Sequence, residues 1–170
     1  NRPVLKNPVN TGRIKNLTKI FPEANYIFMM RNPVFTYLSS KKFFSQLYPT
    51  VNLEEFSTGE IVEMVLEIYV NLLSDYLRDR ELIDPNRLLE IKYEEFELNP
   101  LEYLRQIYSR FGFNDFDKAL PAFTAYLQTH KDHKMQGYKI KKKELDLVLE
   151  KLDFAMKHWN YEIPEDLVIV

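Results

Sequence analysis

No cysteine occurs anywhere in the 170 residues. That excludes disulfides, thiol nucleophiles and Cys-based metal sites. Glycine is scarce too, at four positions (Gly12, Gly59, Gly112 and Gly137) spread too thinly to build a Gly-rich phosphate loop. The three histidines, His130, His133 and His158, lack a metal-binding spacing with carboxylates, so no metal is expected. A net charge of −2 argues against nucleic acid as a partner, because that calls for a basic stripe. No apolar run approaches the roughly 18 residues of a membrane span, and no signal peptide opens the chain. These absences point to the cytoplasm. The sequence opens on Asn1 rather than Met and reads as the continuation of something longer.

What remains is an ordinary globular composition, 45% hydrophobic and 28% charged. The length fits a single domain spanning residues 1–170. The most informative stretch is Arg31-Asn32-Pro33-Val34-Phe35-Thr36-Tyr37-Leu38-Ser39. It follows Tyr26-Ile27-Phe28-Met29-Met30, an apolar, β-prone run that reads as a buried strand. Asn32 is a good N-cap and Pro33 a good first helical residue, so strand turns straight into helix. Arg31 then falls at the carboxyl end of a strand, where open α/β sheets bind ligands. Ser39 follows under two turns into the helix. A guanidinium fork with a nearby hydroxyl suits an oxyanion, above all a phosphate.

The rest of the chain alternates in kind. Val4-Leu5 reads as the tail of a strand ending at Lys6, followed by a helix from Asn10 or Thr11 to about Phe21. A helix runs from Pro33 to about Leu47, and Pro49 to Phe56 is a loop. Ser57-Thr58-Gly59-Glu60 is a capping box opening a long helix to about Glu81, apolar on most sides. A strand is expected around Leu88–Ile91, and Asn99-Pro100-Leu101-Glu102 starts a helix that Gly112 stops. Further helices are expected near Asp117–Thr129 and Glu144–Trp159. Strand–helix alternation predicts an α/β fold, a parallel sheet covered by helices. Tyr93 lies where the strand after Arg87 ends; its ring is placed either to stack on a base or to cap the core. Six lysines, Lys131, Lys134, Lys139, Lys141, Lys142 and Lys143, crowd residues 130–143 against one aspartate. Lys141–Lys143 precede a helix N-terminus, where cations oppose the dipole.

In their order, these segments resemble the sulfotransferases that use 3′-phosphoadenosine 5′-phosphosulfate, and in particular the bacterial-type branch. The resemblance is carried by Lys6-Asn7-Pro8, Ile20-Phe21-Pro22-Glu23-Ala24, Arg31-Asn32-Pro33 with Ser39, and Tyr93-Glu94-Glu95-Phe96 with Asn99-Pro100. The ending Trp159-Asn160-Tyr161 is also similar. It implies a three-layer, P-loop-like parallel sheet and sulfuryl transfer to an acceptor hydroxyl or amine. Arg31 and Ser39 match the positions that hold the donor's 3′-phosphate. Tyr93 matches a residue near the adenine, and Lys6 a lysine that approaches the sulfuryl group. Lys134 matches, less closely, a late cationic loop over the 3′-phosphate.

Two departures stand out. Pro8 occupies the place where the animal cytosolic branch has its basic histidine, so any base lies elsewhere. The family's N-terminal Gly-rich phosphosulfate loop has no counterpart here, which implies the C-terminal portion of a sulfotransferase domain, inactive alone. The implied acceptor is a small molecule, carbohydrate or lipid, and no pattern signals an oligomeric state. A P-loop nucleotide or small-molecule kinase is one alternative, and a non-catalytic remnant serving as an interaction module is another.

Overall fold

A computed structural model of the chain describes residues 3–51, 56–129 and 137–170. They form helix-rich α/β structure with parallel strand pairing. The chain divides into two compact units, one built from Asn1–Arg13, Asn32–Arg78 and Gly137–Val170, the other from Ile14–Arg31 and Asp79–Gln136.

The second unit holds α1 (Ile14–Ile20), β1 (Tyr26–Met30), β2 (Leu88–Lys92), α4 (Tyr93–Leu98), α5 (Pro100–Arg110) and α6 (Phe116–Thr129). β1 and β2 pair in parallel, with Tyr26 opposite Leu88 and Met30 opposite Lys92. Parallel neighbours need a long connection, and here residues 31–87 intervene. Ile91 on β2 and Met30 at the end of β1 are buried. Beside the strands, Tyr108 meets Phe113, Phe116 and Phe123 edge-on, with ring centroids 5.3–6.0 Å apart. Those rings fasten α5 to α6. Gly112 stops α5 with a φ of +67°, a conformation glycine adopts without a Cβ clash.

The first unit is built on α2 (Pro33–Val51), α3 (Thr58–Asp79) and α7 (Lys142–His158). α3 begins as its capping box requires. The Glu60 N–H donates to Ser57 Oγ at 3.2 Å, and the Ser57 N–H donates to Glu60 Oε2 at 2.8 Å. Val65 and Tyr76 on α3 are buried, as are Leu145, Val148 and Leu152 on α7. Spaced at three, four and seven residues, the α7 positions make the core stripe of an amphipathic helix. α7 ends on a Schellman motif. Asn160 takes φ +52°, and the Tyr161 N–H donates to the Met156 carbonyl at 2.8 Å. Asparagine tolerates that left-handed position, which gives Trp159-Asn160-Tyr161 a local physical role.

Three expectations need correction. Residues Val4 and Leu5 form no strand and are exposed, at 89% and 67%. Pro3 and Pro8 flank them and donate no ladder hydrogen bonds, and no described strand pairs with them. The basic segment, by contrast, holds a strand that the lysine pattern conceals. β3 (Lys139–Ile140) pairs in parallel with β4 (Val168–Ile169). Pro49 also lies within the last turns of α2 rather than in a loop.

Candidate functional site

The parallel register of β1 and β2 carries a direct consequence. Met30 and Lys92 are partners at the strand ends, so the next residues, Arg31 and Tyr93, leave the same carboxyl edge side by side. The Arg31 guanidinium carbon lies over the Tyr93 ring, 5.1 Å from its centroid. Such a contact orients the cation and is worth about 0.5–1 kcal/mol at a half-exposed site. Both side chains are half-buried. Burial pushes the Tyr93 hydroxyl above the usual tyrosine range and the Glu97 carboxylate pushes the same way, while Arg31 pulls it down. The Tyr93 hydroxyl donates to Glu97 Oε1 at 3.3 Å, one turn along α4. The ring is thereby held from both ends, by a carboxylate at its hydroxyl and a guanidinium on its face.

On the other side of Arg31 the chain enters the first unit through a well-made helix start. Asn32 is buried, its side-chain oxygen accepts from the Val34 N–H at 3.0 Å, and its amide donates to the Glu162 carbonyl at 2.8 Å. The cap read from the sequence is therefore formed, with an anchor to the residue after Tyr161 besides. Pro33 fills the first helical position. Ser39 is the seventh residue of α2 and half-buried.

Arg31 and Tyr93 are thus brought together within one unit. Ser39 and Lys6 belong to the other, where Lys6 lies exposed on irregular chain just before a 3-10 turn at Pro8–Arg13. Lys134 lies outside the described residues.

A third polar constellation was not legible in the sequence. Glu144, in the first turn of α7, accepts two hydrogen bonds on one oxygen. The Tyr37 hydroxyl donates to Oε1 at 2.7 Å, and the Lys41 ammonium donates to the same oxygen at 2.6 Å. Tyr37 is fully buried, and burial followed by the carboxylate pushes its hydroxyl far up from the usual range. The only local signals were the four-residue spacing of Tyr37 and Lys41 and an acid near a helix N-terminus. Lys142 next door pairs with Asp146 at 2.7 Å, so part of the lysine cluster is compensated by carboxylates on α7 itself.

Comparison with known proteins points one way. A profile of the sulfotransferase family matches residues 1–118. Omega-hydroxy-beta-dihydromenaquinone-9 sulfotransferase Stf3 from Mycobacterium bovis, and the same-named protein from Mycobacterium tuberculosis, are each 32% identical over 157 residues, 92% of this chain. The chain spans 39% of the length of these curated relatives. The crystal structure of sulfotransferase STF9 from Mycobacterium avium superposes with a TM-score of 0.79 at 20% identity, covering 94% of this chain and 42% of that one. That likeness establishes the fold. A family match over more than half of the residues and a relative above 30% identity establish the rest: the chain belongs to the sulfotransferase family, in its bacterial type.

Proposed function

We propose that this chain supplies the nucleotide end of a sulfotransferase that takes its sulfuryl group from 3′-phosphoadenosine 5′-phosphosulfate. The carrying observation is the Arg31 guanidinium on the face of Tyr93 at the carboxyl ends of two registered parallel strands. Ligands bind at that edge in open α/β sheets. In this reading Arg31 grips the donor's 3′-phosphate as a fork, Ser39 donates its hydroxyl to the same group, and Tyr93 lies against the adenine. Lys6 approaches the sulfuryl oxygens, and Lys134 adds charge over the 3′-phosphate. The donor carries about four negative charges, counting its phosphate near −2, so cations are what such a pocket needs most.

Chemistry proceeds by in-line displacement. The acceptor oxygen or nitrogen bonds to sulfur while the bond from sulfur to the bridging phosphate oxygen breaks, releasing 3′,5′-adenosine diphosphate. The acceptor's proton passes to a base other than residue 8, which is Pro8 and cannot take one. Catalysis is positioning and neutralisation of charge on the bridging oxygen, and requires no metal. The acceptor in this reading is a small molecule presenting a hydroxyl or amine. The names of the two mycobacterial relatives, which describe a hydroxylated dihydromenaquinone, favour a lipid among such acceptors. Among the described residues, no helix is long and apolar enough to cross a membrane, and the proposed setting is the cytoplasm. Residues 1–170 hold no Gly-rich loop for the sulfate bridge, so they turn over no donor by themselves and act as part of one sulfotransferase domain.

Calorimetry of 3′,5′-adenosine diphosphate against the full chain tests this. Arg31→Ala removes a charge-assisted contact worth about 1.5–3 kcal/mol, a loss of about tenfold to 150-fold in affinity. Unchanged affinity overturns the assignment. Tight binding of ATP with magnesium in place of 3′,5′-adenosine diphosphate turns the reading toward a kinase.

A further inference from the structure

We propose that Glu144 is a positioning residue for nucleotide binding, one that sets the rotation of α2 and so aims the Ser39 hydroxyl. This rests on the reading of Ser39 as a phosphate-binding residue. The observation is where apolar anchoring of α2 stops. Pro33, Val34, Phe35, Tyr37 and Leu38 are buried, and from Ser39 to the helix end no described residue is. Ser39 therefore sits at the boundary between a helix half seated in the core and a half that burial does not seat. Hydrophobic contact alone leaves the aim of the next turn loosely specified, because it is non-directional.

The Glu144 carboxylate supplies direction on the Ser39 turns, as the Asn32 hydrogen bonds do at the helix start. Its two donors, Tyr37 and Lys41, bracket Ser39 by two residues on either side. At about 100° per residue, Tyr37 and Lys41 share one helix face and Ser39 projects about 200° round from Tyr37. Fixing the first face to α7 fixes the opposite one. A rotation of α2 that swings Ser39 away must break a 2.7 Å and a 2.6 Å contact together, both converging on one oxygen. The anchor itself is stiff, since Leu145 and Val148, on the turn that carries Glu144, are fully buried. Glu144 never touches the ligand in this arrangement. It acts only through the helix that bears Ser39.

A double-mutant cycle on the full chain, read by calorimetry with 3′,5′-adenosine diphosphate, decides the matter. Glu144→Leu is expected to weaken binding by about threefold to tenfold, and by less than about twofold when Ser39→Ala is already present. Glu144→Gln, whose side-chain oxygen still accepts from both donors, is expected to restore most of the affinity. A loss of general fold quality would instead lower affinity equally in both backgrounds, and that result overturns the proposal. So does an unchanged affinity in Glu144→Leu when Ser39→Ala by itself weakens binding. If Ser39→Ala leaves affinity intact, the phosphate role of Ser39 fails first and the positioning role with it. Should Glu144→Leu not fold, Tyr37→Phe with Lys41→Met replaces it in the same cycle, with the same expected and overturning results.

Discussion

Arg31 and Lys41 are cations ten residues apart, on either side of the boundary between the two units, and they are held in different ways. Lys41 is met by a carboxylate, within 2.6 Å of Glu144 on α7. Arg31 rests on the face of an aromatic ring. Contact with a carboxylate orients a cation and cancels its charge. Contact with a ring face orients it and leaves the charge to act. In the proposed reading, the difference separates a fastening from a binding edge. Helix α2 needs its Lys41 tied down, while a phosphate-binding position at a strand end needs a cation aimed but not cancelled by the group that aims it.

Substitutions at the two places should therefore part company in stability, which falls steeply at Glu144, where binding is touched only through Ser39, and little at Arg31, where binding falls directly. Glu144→Ala leaves the buried Tyr37 hydroxyl and the largely buried Lys41 ammonium without their shared acceptor, and is expected to cost about 2–3 kcal/mol of unfolding free energy in urea titration. Arg31→Ala, measured the same way, is expected to cost less, the contact it gives up with the Tyr93 ring being worth about 0.5–1 kcal/mol. Equal costs would erase the distinction. A finer test lies in the ring. Tyr93→Phe keeps the face under the guanidinium and should bind 3′,5′-adenosine diphosphate within about twofold of the parent, while Tyr93→Ala loses the cation–π contact and weakens binding by about twofold to fivefold. If the two variants behave alike, Tyr93 does not work through its face.

The smallest effect is set by pH at the start of α3. Hydrogen bonds from Ser57 lower the Glu60 carboxyl below its ordinary 4.5. A carboxyl lowered on folding stabilises above its unfolded value, and that contribution disappears as pH falls through the folded one. Ser57→Ala should therefore reduce the urea midpoint slightly at pH 7, and the gap to the parent should narrow toward pH 3. A gap independent of pH would mean that the cap acts without Glu60.

How much of this was legible in the residues follows from the range of the interactions. The capping box at Ser57, the Asn32 cap and Pro33 start, and the Gly112 stop are local, and each reads from a few neighbouring side chains. Strand β1 was legible because its five residues form one apolar, β-prone run between turn signals. Once β1 and β2 are recognised as parallel neighbours, the meeting of Arg31 with Tyr93 follows from register alone. Val4-Leu5 misled because a short apolar pair looks the same whether or not a partner strand is there. Strands β3 and β4 are two residues each, too short for alternation to show, and one is set among lysines. Helix α4 was missed because Tyr93-Glu94-Glu95-Phe96 carries no cap signal, and none forms at Lys92. The Tyr37–Glu144–Lys41 cluster joins residues more than a hundred positions apart. No local pattern announces such a pairing.

The most direct test of the phosphate role is a cycle between protein and ligand. Affinities of the full chain and of Arg31→Ala would be measured for 3′,5′-adenosine diphosphate and for 5′-adenosine monophosphate, which lacks the 3′-phosphate. The expected result is strong non-additivity: removing the guanidinium costs about tenfold or more with the 3′-phosphate present and about twofold or less without it. An equal loss with both nucleotides would show that Arg31 does not hold that phosphate.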